Sequence, residues 1–121
     1  MELYEYTAHE LAGLLREKRA SAKEITQSVF QRIRAVEGLV DAYISLSEES
    51  ALEQAAAVDE KIAKGEPLAP LAGIPVAVKD NICIQGGATT CASRMLENFR
   101  PPYHAAVTEK LLENDMVVTG K

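Results

Sequence analysis

Leu71-Ala72-Gly73-Ile74-Pro75-Val76-Ala77-Val78-Lys79-Asp80-Asn81 is the stretch whose reading decides the fold. From Ile74 to Lys79 the residues alternate as in a strand. Ile74, Val76 and Val78 share one face, and Pro75, Ala77 and Lys79 share the other. Both faces are apolar until the last position, which is the pattern of a strand inside an α/β sheet covered by helices. At its carboxyl end stand a lysine, an aspartate and an asparagine, and in open α/β sheets that end is where sites form.

An ammonium at such a strand end is expensive to keep neutral. Moving a lysine from its ordinary pKa of ~10.4 to 7 costs roughly 4.6 kcal/mol. Burial supplies shifts of up to ~3–5 units, so a lysine on a dry strand end can act as a general base. On the strand alone a second reading stands beside this one: Lys79 leaves the sheet, reaches water beside Asp80 and keeps its charge.

Outward from the strand, the chain reads as helices and turns. Thr7-Ala8-His9-Glu10 has capping-box form, and Leu11, Leu14 and Leu15 give an apolar stripe over a helix to about Lys18. Ser21-Ala22-Lys23-Glu24 repeats the signal. Ile25, Val29, Ile33 and Val36 then predict an amphipathic helix ending near Gly38, so that residues 7–37 form a helical hairpin. His9, on a first turn with no second ligand nearby, reads as solvated. Ala42–Leu46 reads as a short strand and Ser47 as the cap of a helix that places Leu52, Ala55, Ala56, Ile62 and Ala63 on one side and stops near Gly65. Gly65–Pro70 is a linker into the main strand.

Beyond the strand, Asn81–Ile84 reads as a further short extended piece and Gln85-Gly86-Gly87-Ala88 as a turn. Thr89–Ser93 is a small polar loop in which Ser93 caps a helical turn through Arg94–Leu96. Pro101-Pro102 opens a helix over 104–113 with Val107 and Leu111 facing inward, followed by a strand at 116–119. Strand, helix and strand make a βαβ unit of parallel strands with a right-handed crossover.

The run Pro70–Asn81, followed by Thr89-Thr90-Cys91-Ala92-Ser93, Leu96-Glu97-Asn98-Phe99, Pro101-Pro102-Tyr103 and Thr119-Gly120-Lys121, resembles the amidase signature family. Within it the run is most similar to the glutaminase branch that serves tRNA-dependent amidotransferases. The resemblance extends from the first residue to the last, although family members are several times longer. It implies an α/β fold, the amidase signature fold of a mixed sheet covered by helices. These residues would be the N-terminal portion of a single amidase domain, with the sheet-forming part over about 41–121. It also implies a Ser, cis-Ser and Lys triad, of which only the catalytic lysine, Lys79, falls within these residues. Both serines belong to a Gly/Ser-rich signature expected downstream of a Thr119-Gly120-Lys121 that reads as the interior of a motif. Thr90 and Ser93 are expected as lining of the amide pocket by the same resemblance.

The activity so implied is hydrolysis of glutamine to supply ammonia for converting Glu-tRNA(Gln) to Gln-tRNA(Gln). The implied partners are the B and C subunits of the amidotransferase. tRNA would be handled by one of those partners, and ATP and Mg²⁺ would be used there and not by this chain. The chain by itself is expected to be inactive. In one place it departs from the family: His104 stands where an acidic residue commonly opens the helix, which leaves that N-terminus without an anionic cap. Another amidase acting on a simple amide, or a non-catalytic binding or scaffold module, are the rival readings. A Lys79–Ser93 dyad lacks the Gly-x-Ser-x-Gly elbow such a nucleophile needs.

Composition sets bounds on all of this. The 121 residues are 47% hydrophobic and 26% charged, within the range of ordinary globular chains. A net charge of −5 argues against sequence-independent binding to a phosphate backbone. Met1-Glu2-Leu3-Tyr4-Glu5 lacks the basic start of a signal peptide, and no apolar run has transmembrane length, so a cytoplasmic location is expected. Cys83 and Cys91 form no CxxC and have no His pair to complete a metal site; a reduced, structural pair is expected. A sheet ending at the second strand would leave an unpaired edge, so self-association of the chain is expected as well.

Overall fold

The computed structural model of the protein describes residues 1–121. A 3₁₀ turn at Leu3–Glu5 leads into α1 (Ala8–Arg16), α2 (Ala22–Val40) and α3 (Glu48–Ala63). Strand β1 (Pro75–Ala77), a 3₁₀ turn at Arg94–Leu96, α4 (Ala106–Glu113) and strand β2 (Val117–Gly120) complete the order. The strands pair in parallel, so β1, α4 and β2 make the expected βαβ unit.

The helix starts follow from local chemistry. The Thr7 hydroxyl accepts from the Glu10 N–H at 3.3 Å while the Glu10 carboxylate accepts from the Thr7 N–H at 2.8 Å. Ser21 and Glu24 repeat the exchange at 3.0 and 2.9 Å. Each box satisfies backbone donors that a first turn leaves without partners. A third acceptor comes from another element. Asp59 on α3 takes the N–H groups of Ala22 and Lys23 at 2.7 and 3.0 Å and so joins the start of α2 to α3.

α2 packs principally on α3, and α3 in turn on β2. The core draws Leu11 and Leu15 from α1, Ile25, Phe30 and Ile33 from α2, and Ala51, Ala55 and Val58 from α3, closing on Ile74 and Val117. The stripe on α3 is therefore 51, 55, 58 and 62, whereas Ala56 and Ala63 of the expected set are exposed. Small residues there let the helix lie close to β2. The Gln54 side-chain oxygen accepts from the Val118 N–H at 2.9 Å across that contact.

Several expectations need correction. α1 ends at Arg16, and α2 continues past Gly38 to Val40, where Asp41 in the left-handed region stops it. The strand at 74–79 shortens to Pro75–Ala77, because the register slips between Val76 and Ala77 where Gly120 replaces Thr119 as partner. Its second face is not covered: Ile74 and Val78 are buried, but Ala77 and Lys79 are exposed. The bonds Val117 N–H to Ile74 O and Val78 N–H to Gly120 O place those residues' backbone toward β2. By period two, Pro75 turns its missing N–H to the outer edge, where a proline does no harm.

Ala42–Leu46 is not a strand but a segment tied to β2 by one antiparallel bridge, Leu46 to Gly120. Its N–H and C=O groups still cover the outer edge of β2, with Ile44 N–H to Lys121 O at 2.7 Å and Lys121 N–H to Ser45 O at 2.9 Å. The approach is so close that a Cβ at residue 120 would run into the Ser45 carbonyl, so only glycine fits. Ser47 sits at the N-cap of α3 without a capping bond. Asn81–Ile84 forms no strand, with a turn at Asn81 and a bend at Ile82, and Pro102-Tyr103 is a bend, so α4 begins only at Ala106. In α4 it is Thr108 that is buried, its hydroxyl donating to the Cys83 carbonyl at 2.9 Å, while Val107 is 46% exposed. No helix is long and apolar enough to cross a membrane.

Candidate functional site at the end of the first strand

Lys79 stands two residues beyond β1, on the wall of a cleft of about 510 Å³ that it shares with Ala42, Ile44, Asp80, Asn81, Cys91, Ala92 and Lys121. Its side chain is exposed. The neighbouring Asp80 also lines the cleft, but its bonds go to the loop opposite and not to Lys79. It is buried, and its carboxylate accepts from the Thr90 N–H at 3.2 Å to both oxygens and from the Thr90 hydroxyl. Its own carbonyl accepts from the Cys91 N–H at 3.2 Å. One residue thus pins two consecutive positions of the loop opposite, Thr90 and Cys91.

The cation facing Asp80 is Lys121, not Lys79. Lys121 Nζ lies 3.9 Å from Asp80 Oδ1, and the two side chains are only 6% and 8% exposed. The same ammonium donates to the Ile82 carbonyl at 2.5 Å and to the Thr89 hydroxyl at 3.2 Å. Burial pushes the Lys121 ammonium below its ordinary value, with the Asp80 charge acting in the opposite sense. Burial by itself would raise the Asp80 carboxyl. The Thr90 hydroxyl and N–H, then the Lys121 charge and the Ala92 N–H, together outweigh it and hold the carboxyl below its usual range.

The loop so held is strained. Cys91 and Ala92 have φ of 50° and 56°, two successive non-glycine residues in the left-handed region. Each costs roughly 1–2 kcal/mol, and such strain persists only where surrounding bonds over-determine it. Asp80 supplies those bonds.

The residues singled out in the sequence are distributed as follows. Lys79 is in the cleft. Thr90 is directed at Asp80 rather than into the cleft, and Ser93 accepts from the Met95 N–H at 3.3 Å as the cap of the 3₁₀ turn. The cleft lining on that side is Cys91 and Ala92 instead. Ser93 is not among the residues lining the Lys79 cleft. Both cysteines are free thiols. His9 is exposed, and His104 Nδ1 accepts from the Gln85 N–H at 3.0 Å, one position before the N-cap of α4. Lys121 and the inward turn of Asp80 have no signal in the sequence, since nothing in a 41-residue separation marks a contact.

Comparison with known proteins places this geometry. The family model described as Amidase matches residues 24–121. The chain belongs to the amidase family. Over 121 residues it is 52% identical to the A subunit of glutamyl-tRNA(Gln) amidotransferase from Desulforamulus reducens and 56% identical to that from Desulfosudis oleivorans. In both cases all of this chain is matched but only 25% of the relative, so the chain spans about a quarter of the length of these curated amidases. The native peptide amidase from Stenotrophomonas maltophilia superposes with a TM-score of 0.89 at 32% identity, over 97% of this chain and 24% of that one. A bacterial aryl acylamidase of the amidase signature family gives 0.88 at 27% identity, over 98% and 25%. These solved amidases have the fold of which this α/β unit is a quarter.

Proposed function

We propose that this chain is the N-terminal quarter of the glutaminase subunit of a tRNA-dependent amidotransferase and that Lys79 is its contribution to the reaction. The observation that carries the reading is the match over the whole chain to the A subunits of glutamyl-tRNA(Gln) amidotransferases at 50–56% identity, with Lys79 standing in a cleft just beyond the end of β1.

In the proposed reaction unprotonated Lys79 accepts a proton from a bridging cis-serine, which accepts one from the nucleophilic serine. That serine attacks the side-chain amide carbon of glutamine. The C–N bond breaks, the proton returns to the leaving nitrogen as ammonia departs, and a glutamyl ester remains for water to hydrolyse. Both serines lie outside these 121 residues. Lys79 is exposed in this chain, so the dryness that favours a neutral lysine also has to come from residues not present here. The chain alone is therefore expected to hydrolyse no glutamine. Ammonia would pass to the B subunit, with C as the third member of the assembly. ATP and Mg²⁺ would serve glutamate activation there, and none of this chain's residues is assigned to them.

The test uses the assembled full-length enzyme. Lys79→Ala is expected to lower glutaminase turnover by about 10³-fold, the scale of a lost general base. Added ammonium should restore Gln-tRNA formation, because only the source of ammonia is damaged. Glutaminase activity retained in the variant, or failure of ammonium to bypass it, would overturn the assignment.

A further inference from the structure

We propose that Asp80, braced by Lys121 and Thr90, is a positioning residue that fixes the Cys91–Ala92 turn as one wall of the Lys79 cleft and so sets where the substrate amide lies. The inference rests on the reading of Lys79 given above.

Three observations support it. The cluster is built from distant parts of the chain: Asp80 follows β1, Thr90 is in the loop, and Lys121 follows β2. The Asp80 and Lys121 side chains are buried and Thr90 is half-buried, with Lys121 also bonded to the Ile82 carbonyl and the Thr89 hydroxyl. What it holds is not a stable turn in its own right, since Cys91 and Ala92 both sit in the left-handed region and both face the cleft. Residues in such conformations relax once the bonds that impose them are gone. Relaxation would move the wall and not Lys79, whose ammonium has no bond to the cluster. Loss of the brace should therefore weaken binding of the substrate more than it slows the chemistry.

Thr90→Val in the assembled full-length amidotransferase removes the hydroxyl donor to Asp80 at nearly constant shape. KM for glutamine is expected to rise about tenfold, the scale of one lost hydrogen bond to a charged group. The kcat should change by less than about threefold, and its pH profile should not shift. Thr90→Ser restores the donor and is expected to recover most of the affinity. Lys121→Met should shift KM in the same direction as Thr90→Val. An unchanged KM in Thr90→Val, no recovery in Thr90→Ser, or a fall in kcat at constant KM would each overturn the proposal. The Lys79→Ala variant separates the two levels: if it abolishes glutaminase while Thr90→Val behaves as wild type, only the positioning role fails. If Lys79→Ala stays active, the reading beneath it fails.

Discussion

Two lysines and one aspartate show what a sequence reveals about single residues. Lys79 is legible because its neighbours alternate into it and because the motif around it is distinctive. Asp80 reads as its companion in water, yet it turns inward to a lysine 41 positions later. Nothing local encodes that contact, since it depends on β1 and β2 lying side by side. Gly73 belongs to the same scale. Its φ of +79° already favours glycine, and a Cβ there would stand 3.1 Å from the Ala22 Cβ, 3.1 Å from Leu15 Cδ1 and 3.3 Å from Val58 Cγ1. All three neighbours are buried, so little can give. Gly73→Ala is expected to cost about 3 kcal/mol, combining left-handed strain with overpacking. A lowered denaturant midpoint with unchanged m-value would register it, and an unchanged midpoint would show that the Gly73 turn relaxes freely.

Among the elements, helices are legible nearly to their ends and strands only in outline. The reason is physical. Capping boxes are local exchanges between residues three apart, and both of those expected at Thr7 and Ser21 are present. A strand's limits are set by its partner, and here Gly120 shifts the register and ends β1 before Lys79. For the same reason Ala42–Leu46, strand-like in composition, contributes edge bonds to β2 without becoming a strand of its own. The inward face of α4 is half as expected: Leu111 packs on the core, whereas Val107 is exposed and Thr108 is buried against the Cys83 carbonyl, a contact that only the tertiary fold creates. A contact between elements also stays hidden in the sequence: Asp59 on α3 accepts two N–H groups at the start of α2. It works as a second cap and places a negative charge at the positive end of a 19-residue helix. Asp59→Ala is expected to destabilise the chain by about 1–2 kcal/mol, and Ser21→Ala by about 1 kcal/mol. Hydrogen exchange should show the loss first at the amides of Ala22 and Lys23. Protection there equal to that of the unchanged chain would sink the idea of a tertiary cap.

At the scale of the whole molecule, the fold is a quarter of an amidase that encloses a core of its own but leaves one side open. β2 is covered on one edge by β1 and on the other by the segment around Ser45, whereas β1 has a partner on one side only. Pro75 blunts that free edge at a single position, and Ala77 remains exposed along it. Beside it runs a groove whose walls are largely apolar, with Tyr4, Tyr6, Val29, Tyr43 and Val76 among the lining residues. An uncovered strand edge next to apolar surface offers both backbone partners and hydrophobic area to a neighbouring chain. The isolated 121-residue chain is therefore expected to self-associate, with a light-scattering mass that rises with protein concentration. The association should persist in high salt, because apolar contact rather than charge drives it and the net charge of −5 opposes it. A lysine placed at Ala77, on the free edge at the end of β1, should shift the population toward monomer, as charged edge residues do in sheets generally. A mass that stays monomeric up to millimolar concentration, or an Ala77→Lys chain that associates as strongly as the original, would mean that the open side of this quarter closes on itself.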